Sequence, residues 1–359
     1  MGVKINTREL IRILELTPDH QNIMLVGRHG IGKSAIIEQF FSQKQARVVT
    51  LFLGQMSDPG DLIGLPSLDI AGGAASGKTE FRPPWWFPLD NKPVVLFLDE
   101  LNRARPEILQ TVMDLILSKT LAGRTLPPGS RVISAVNEGE EYQLTDLDPA
   151  LLSRFNIYYF SPTAAEWLLW AAEQKLDHRV IRFIEQNPDC LDGDIMLDAG
   201  LEKGADRRSW TRLSEILAAA GEIDETVEKI MSGIVGISAA FKFSEFVKDN
   251  TAIDPRGILS GFDAAKEEVE RMDAHELSAL NESFFRIIEI EGNDEQVKQY
   301  ITNLEAYIKW LSDEKRNEVL AHWTTLYESP LYPKTKVAIL SNSPFIFQNI
   351  IGFIDGIKL

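Results

Sequence analysis

The stretch IMLVGRHGIGKSAIIEQFFSQ, residues 23–43, decides the fold. Its apolar start, Ile23–Val26, predicts a buried strand, and Ser34–Gln43 has the composition of a helix. Between them, Gly27–Ser34 fits the spacing G-x-x-x-x-G-K-[ST]. Glycines at these positions let successive backbone N–H groups turn toward one point, and the following helix adds its positive N-terminus. Strand, glycine loop and helix in this order predict a phosphate-binding loop.

We predict that this loop binds ATP. Lys33 is expected to reach the β- and γ-phosphates, and the Ser34 hydroxyl is expected to ligate Mg²⁺. No base-reading motif is visible, so the choice between ATP and GTP stays open at this point. The predicted nucleotide-binding residues are Gly27, Arg28, His29, Gly30, Ile31, Gly32, Lys33, Ser34 and Ala35.

A second segment, Gly72–Thr79, matches the same spacing and serves as an internal control. The residues before it, SLDIA, are short and polar, and Pro83 and Pro84 follow closely enough to prevent a helix there. Without a helix N-terminus the segment has no aligned donors for a phosphate. We interpret it as a hairpin tip or mobile loop that binds no nucleotide.

A pair of carboxylates ends another apolar run, Val94–Leu98. Asp99 then lies at the carboxyl end of a predicted parallel strand, where such sheets bind ligands, and can hold Mg²⁺ through water. Glu100 lies one residue further, where a carboxylate can accept the proton of an attacking water. Standing alone, an Asp-Glu pair after a strand would be an ordinary turn; after the loop at Gly27–Ser34 it predicts a catalytic base.

The rest of the chain predicts an α/β core followed by helices. Runs of Val, Ile, Leu and Phe without polar alternation are typical of parallel strands covered on both faces. Beyond Phe160 the strand pattern stops, and amphipathic stripes such as Gln296–Asp313 take over. We predict a nucleotide-binding domain over 1–160, a helical lid over 161–222 and an acidic helical region over 223–359. Further strands are predicted at 47–53, 131–137 and 156–160, and further helices at 6–16, 106–118, 149–153 and 208–220.

Charge and cysteine content restrict the partners and the location. The net charge is −16, which argues against duplex DNA or an anionic membrane surface as a partner. Cys190 is the single cysteine, so an intrachain disulfide or a cysteine-rich zinc site is excluded. The N-terminal stretch is charged and no apolar run approaches the length of a membrane span. These features predict a cytoplasmic protein.

With these motifs located, the chain resembles the MoxR-like group of AAA+ ATPases over roughly residues 1–220. The resemblance rests on LDELNRARPEILQTVMDLI (Leu98–Ile116), ISAVN (Ile133–Asn137) and LDPALLSRF (Leu147–Phe155). It implies that Asn137 is sensor 1, which positions the lytic water, and that Arg154 is an arginine finger. It also implies a lid arginine, sensor 2, at Arg208, although the adjacent Arg207 leaves this assignment open by one residue.

The same resemblance implies an insertion at about residues 57–88. Trp85 and Trp86 are adjacent there, so in a strand they would face opposite sides. One of them is expected to pack the insertion onto the core. The alternative is that the tip of the insertion contacts a substrate or partner.

We therefore predict an ATP-hydrolysing, chaperone-like remodeller that works as a homo-oligomeric ring, because an arginine finger acts on a neighbour's nucleotide. The expected ring is a hexamer, although the sequence does not specify the subunit number. The resemblance implies a partner with a von Willebrand factor A domain, and we expect neither a membrane nor a nucleic acid as a partner. Two alternatives stay open. One is the motor NTPase of a nucleic-acid processing or restriction system. The other is a binding module that ATP switches between conformations.

Overall fold

A computed structural model describes residues 2–68, 79–138, 147–193, 204–249, 254–291, 294–348 and 352. The chain forms two compact units, Met1–Thr163 and Ala164–Leu359, and each is described by itself. The predicted boundary at residue 160 lies close to this division. The glycine-rich residues 72–78 of the control segment lie outside the described residues.

A six-stranded parallel sheet forms the centre of the first unit, with the strand order β1-β10-β2-β9-β6-β3. Two short antiparallel hairpins, β4–β5 and β7–β8, lie outside it. The predicted parallel α/β core is confirmed. The strands are β1 Lys4–Ile5, β2 Asn22–Gly27, β3 Arg47–Phe52, β4 Pro66–Leu68, β5 Thr79–Phe81, β6 Val94–Asp99, β7 Thr120–Leu121, β8 Arg124–Thr125, β9 Arg131–Asn137 and β10 Phe155–Phe160.

Both faces of this sheet are buried, which explains why its strands lack polar alternation. Along β6, Val95 and Phe97 belong to one apolar cluster, whereas Leu96 and Leu98 belong to the other. The first cluster also holds apolar residues of α1 and α2, and the second those of α3, α4 and α5. The helices of this unit are α1 Thr7–Leu16, α2 Lys33–Gln43, α3 Gly60–Ile63, α4 Pro106–Ser118 and α5 Pro149–Leu152.

The segment between β3 and β6 is anchored by one of its two tryptophans. Trp86 is fully buried in the cluster beneath α4, whereas Trp85 is 75% exposed. The two residues lie in a turn rather than in a strand, yet their side chains still separate into buried and exposed. The control segment ends in β5 and not in a helix, so its Thr79 begins an antiparallel strand.

Replacing Trp86 with alanine should destabilise the first unit by about 3–5 kcal/mol, because a large side chain leaves a closed core. Trp85→Ala is the matched control and should change stability by no more than about 0.5 kcal/mol. Urea unfolding followed by circular dichroism measures both. Equal shifts of the two unfolding midpoints would contradict the anchoring role of Trp86.

The second unit is helical throughout its described residues and contains two apolar clusters. One cluster joins α6–α10 around Phe183 and Trp210, and the other joins α11–α16 around Phe285 and Tyr307. The predicted boundary at residue 222 falls between α8 and α9, which share the first cluster. The helices are α6 Ala164–Glu173, α7 His178–Gln186, α8 Arg207–Ala220, α9 Glu225–Val235, α10 Ile237–Asp249, α11 Pro255–Ser260, α12 Phe262–Val269, α13 Ala274–Glu291, α14 Asp294–Asp313, α15 Asn317–Glu328 and α16 Pro333–Asn342.

Two buried carboxylates connect helices of this unit. Glu185 on α7 accepts hydrogen bonds from Ser283 Oγ at 2.7 Å and Arg286 Nη2 at 3.0 Å, both on α13. Burial raises the pKa of Glu185, and the charge of Arg286 opposes the shift. Glu289 accepts from the backbone N–H groups of Lys334 (3.2 Å) and Thr335 (2.9 Å) and so caps the start of α16.

None of the helices in the described part of the chain combines the length and the apolar composition that crossing a membrane requires.

Candidate nucleotide site

The predicted phosphate loop lies at the carboxyl edge of the sheet, between β2 and α2. Gly32 precedes α2 with a φ of 99°, in the left-handed region, and Gly30 has a φ of 78°. A Cβ at Gly32 would meet no atom within 4 Å, so backbone conformation rather than space requires glycine there. The loop thus turns back onto the helix start, as a phosphate-binding loop must.

Lys33 is buried at this edge, with 6% of its surface exposed. Its ammonium donates to Gly27 O at 2.7 Å, Arg28 O at 2.9 Å and Asn137 Oδ1 at 3.0 Å. Asn137 ends β9, and Gly27, its partner in the sheet register, ends β2. The structure therefore brings the predicted phosphate lysine and the predicted sensor residue into direct contact.

Ser34 and Asp99 form the second contact across this edge. Ser34 Oγ donates to Asp99 Oδ2 at 2.9 Å, and Asp99 Oδ1 accepts from Glu100 N at 2.9 Å. A hydroxyl and a carboxylate oxygen are donors that Mg²⁺ prefers, and Mg²⁺ commonly takes its remaining ligands from phosphates and water. The described residues contain no cluster of three or more His, Cys, Asp or Glu that could hold a metal alone. The pair thus fits Mg²⁺ that arrives with a nucleotide.

Glu100 adopts a backbone conformation that is uncommon for a residue with a side chain, with a φ of 56°. It opens a 3₁₀ turn, Leu101–Arg103, in which side chains three positions apart eclipse. Accordingly Arg103 Nη1 donates to Glu100 Oε1 at 2.6 Å. A Cβ at Gly54 would lie 3.0 Å from Glu100 Oε2, so the backbone after β3 forms a wall beside this carboxylate. The sequence did not predict the contact with Arg103.

Asn102 is a further site residue that the sequence analysis missed. It is buried, donates from Nδ2 to Asn137 O at 2.9 Å and accepts from Asn137 N at 3.4 Å. This double contact fixes the end of β9 and hence the sensor side chain. Asn102 lies in the quoted segment LDELNRA, but neither apolar periodicity nor motif spacing distinguishes it from its neighbours.

Arg154 lies at the amino ends of the parallel strands, opposite the end that carries the phosphate loop. It directly precedes β10, whose first residue, Phe155, is level with Asn22 at the amino end of β2. Five residue steps separate Asn22 from Gly27, which is roughly 16 Å along a strand. The arginine is half-buried, and its Nη1 donates to Ala150 O. The structure does not bring Arg154 to the phosphate loop of its own chain.

The lid arginines differ in their surroundings. Arg207 is buried and forms an ion pair with Asp192, with Nη2 2.9 Å from Oδ2. Arg208, the next residue in the first turn of α8, is exposed. Because the guanidinium of Arg207 is already bound within the second unit, Arg208 is the better candidate for sensor 2.

Part of the chain matches a known protein family. Residues 22–155 match the family described as the AAA domain, dynein-related subfamily. The chain is also similar to BssE of Thauera aromatica, which is named as a chaperone. The two sequences are 26% identical over 232 residues, which cover 61% of this chain and 77% of that protein.

Solved structures give weaker likenesses. The RuvB Holliday junction branch migration motor of Thermotoga maritima is 15% identical, covers 82% of this chain and 86% of that chain, and has a TM-score of 0.37. NtrX of Brucella abortus in complex with ADP is 13% identical, covers 85% and 67%, and has a TM-score of 0.38. The MoxR-like branch stays a prediction. The family match, the parallel sheet and the contacts of Lys33 and Ser34 together show that residues 22–155 form an AAA+ P-loop domain.

Proposed function

We propose that this protein hydrolyses the β–γ phosphoanhydride of ATP. The observation that carries the proposal is the meeting of three strand ends at one edge. There the ammonium of Lys33 touches Asn137, and the hydroxyl of Ser34 touches Asp99. One cation, one amide and one carboxylate thus converge where the loop would hold the phosphates.

Each residue has a separate task in the proposed reaction. Lys33 binds β- and γ-phosphate oxygens, exchanging its present acceptors for charged ones. Asn137, fixed by Asn102, orients the attacking water. Ser34 and Asp99 would hold Mg²⁺, Asp99 through water, and the ion would neutralise charge on the phosphates. Glu100 accepts the proton of the attacking water.

The ion pair with Arg103 affects how Glu100 performs this task. Arg103 donates to Oε1, and the backbone at Gly54 leaves little room for a side chain beside Oε2, so the glycine keeps that side of the carboxylate open. The backbone strain at Glu100 is of the kind that concentrates at functional sites.

A ring assembly is proposed because of where Arg154 lies. An arginine roughly 16 Å from its own loop, measured along β2, cannot reach a phosphate bound there. A second copy of the chain can present its own Arg154 to that phosphate, and a closed ring supplies such a neighbour to every copy. We propose a homo-hexamer, following the resemblance to MoxR-like ATPases.

The cellular role proposed is that of a chaperone-like remodeller in the cytoplasm, where ATP is available. The name of BssE, the relative from Thauera aromatica, and the MoxR-like resemblance support this role. That resemblance also supports a partner with a von Willebrand factor A domain. Co-purification of the full chain with candidate proteins of that class tests the partnership.

A nucleic-acid motor is the second candidate function, and charge argues against it. Residues 164–359 contain 35 acidic and 21 basic residues, so they account for 14 of the 16 net negative charges. Clustered positive charge is what binding to the DNA backbone rewards. The third candidate, a nucleotide-switched binding module, has no need of both a base at Glu100 and a finger at Arg154.

A turnover assay separates the three candidates. We expect phosphate release from ATP without DNA and an unchanged rate when duplex DNA is added at low salt. Stimulation by DNA of about tenfold or more would favour the motor. Tight ATP binding without phosphate release, by a protein that forms oligomers, would favour the switched module.

A further inference from the structure

Asn22 is a polar residue in a strand that is otherwise apolar. It begins β2, and only 6% of its surface is exposed. Burial of an amide side chain is costly unless its hydrogen bonds are made. Position 22 therefore has a task that an apolar residue could not perform.

The amide nitrogen of Asn22 bridges two elements at the amino edge of the sheet. Nδ2 donates to Ile116 O at 2.9 Å and to Arg154 O at 3.2 Å. Ile116 lies in the last turn of α4, where carbonyl groups lack partners inside the helix. The second acceptor is the backbone of the arginine itself. One side chain thus ties the Arg154 backbone to α4 and to β2.

Two complementary atoms remain at this junction. Asn22 Oδ1, an acceptor, and Arg154 Nε, a donor, are both buried and have no hydrogen-bond partner among the described residues. A buried polar atom without a partner costs about 1–3 kcal/mol, so this conformation of Arg154 is not the one that satisfies all its groups. Rotation of the Arg154 side chain could bring Nε toward Asn22 Oδ1 while Asn22 Nδ2 keeps its bonds to both carbonyl groups.

We infer that Asn22 is a positioning residue for Arg154. Its nitrogen fixes the arginine backbone, and its oxygen receives Nε when the guanidinium turns toward a neighbouring subunit's nucleotide. The inference rests on the proposed function, in which Arg154 acts on that nucleotide. Strand β2 would then serve the site at both of its ends. The phosphate loop follows its carboxyl end, and Asn22 at its amino end positions Arg154.

The first test is the kinetics of Asn22→Ala in the full chain. The turnover number should fall about tenfold, the effect of losing roughly one buried hydrogen bond in the transition state. ATP affinity, measured with a fluorescent nucleotide, should stay within about twofold, since the phosphate loop lies at the far end of the strand. Asn156→Ala is the matched control, because Asn156 lies at the same edge but bonds to Gln21. It should leave turnover unchanged.

A mixing experiment separates a role at the finger from a role in the fold. Lys33→Ala protein lacks a working phosphate loop but keeps its arginine. Adding it to Asn22→Ala protein should restore turnover to the same extent as adding it to Arg154→Ala protein. In addition, Asn22→Ala should lower turnover no further when Arg154 is already alanine. If Asn22→Ala only damaged the fold, mixing would not restore turnover. The double variant would then also be slower than Arg154→Ala alone.

The outcomes that overturn the inference are specific. They are wild-type turnover in Asn22→Ala, a tenfold loss of ATP affinity, or the absence of rescue on mixing. If Asn22→Ala does not fold, Asn22→Ser keeps one donor and should give an intermediate rate; a wild-type rate there also overturns the inference. Wild-type turnover in Arg154→Ala would instead refute the finger in the proposed function, so the two failures are distinguishable.

Discussion

Arg154→Ala should slow ATP hydrolysis on the order of 10³–10⁵-fold, the range known for arginine fingers. ATP binding should change little, because Arg154 lies at the sheet edge opposite to the loop of its own chain. Steady-state phosphate release and equilibrium nucleotide binding measure the two effects separately.

Mixing variants tests whether the arginine acts between subunits. A ring that contains both Arg154→Ala and Lys33→Ala subunits has interfaces where an intact loop faces an intact arginine. Neither uniform ring has such an interface. Turnover should therefore recover in part, depend on the mixing ratio and vanish on dilution, because association obeys mass action. Full activity in a protein that is monomeric at every concentration, without rescue, would return Arg154 to the role of a surface residue.

Glu100→Gln should retain ATP binding and lose hydrolysis by on the order of 10²–10⁴-fold, because an amide cannot accept the proton of water. The amide also loses the charge that Arg103 pairs with at 2.6 Å. Because the variant keeps its bound ATP, size measurements with ATP should show a larger share of the oligomer than measurements without it. Hydrolysis at the wild-type rate under saturating ATP would refute the role of base.

Lys33→Ala, unlike Glu100→Gln, should weaken ATP binding itself. Hydrogen bonds to charged groups contribute about 1.5–3 kcal/mol, so ATP affinity should fall by roughly 10–150-fold. Lys78→Ala is the matched control, because Lys78 occupies the equivalent place in the second G-x-x-x-x-G-K-T segment, where a strand and not a helix follows. It should bind ATP normally. Loss of binding in a folded Lys78→Ala protein would contradict the requirement for a helix.

Features that depend on local sequence were predicted well. The bounds of α4 agree with the prediction at both ends, because Pro106 fixes the first turn and the apolar stripe stops at Ser118. Six-residue strands such as β6 were predicted because each contains an uninterrupted apolar run of about the length of a buried strand. By contrast, β1, with two residues, carries no pattern and becomes a strand only because it pairs with β10.

Features of the site that depend on tertiary proximity were not predicted. Asn102, the Arg103–Glu100 pair and the wall at Gly54 arise where chain segments meet that no motif relates to one another. Asn22 is an example at the other edge, since its partners lie 94 and 132 positions away along the chain. Motif spacing specifies which chemistry a residue can perform, but not what holds the residue in place.

The buried carboxylate that caps α16 determines where the chain can be shortened. Removing the sequence from Pro333 onward would take away both backbone donors and the Thr335 hydroxyl, which lies 3.0 Å from Glu289 Oε2. A buried carboxylate stripped of its donors is strongly destabilising, and it sits beside the apolar residues around Phe285. α16 is therefore required for the stability of the second unit. Truncations within the second unit should keep α16 complete, from Pro333 through Asn342.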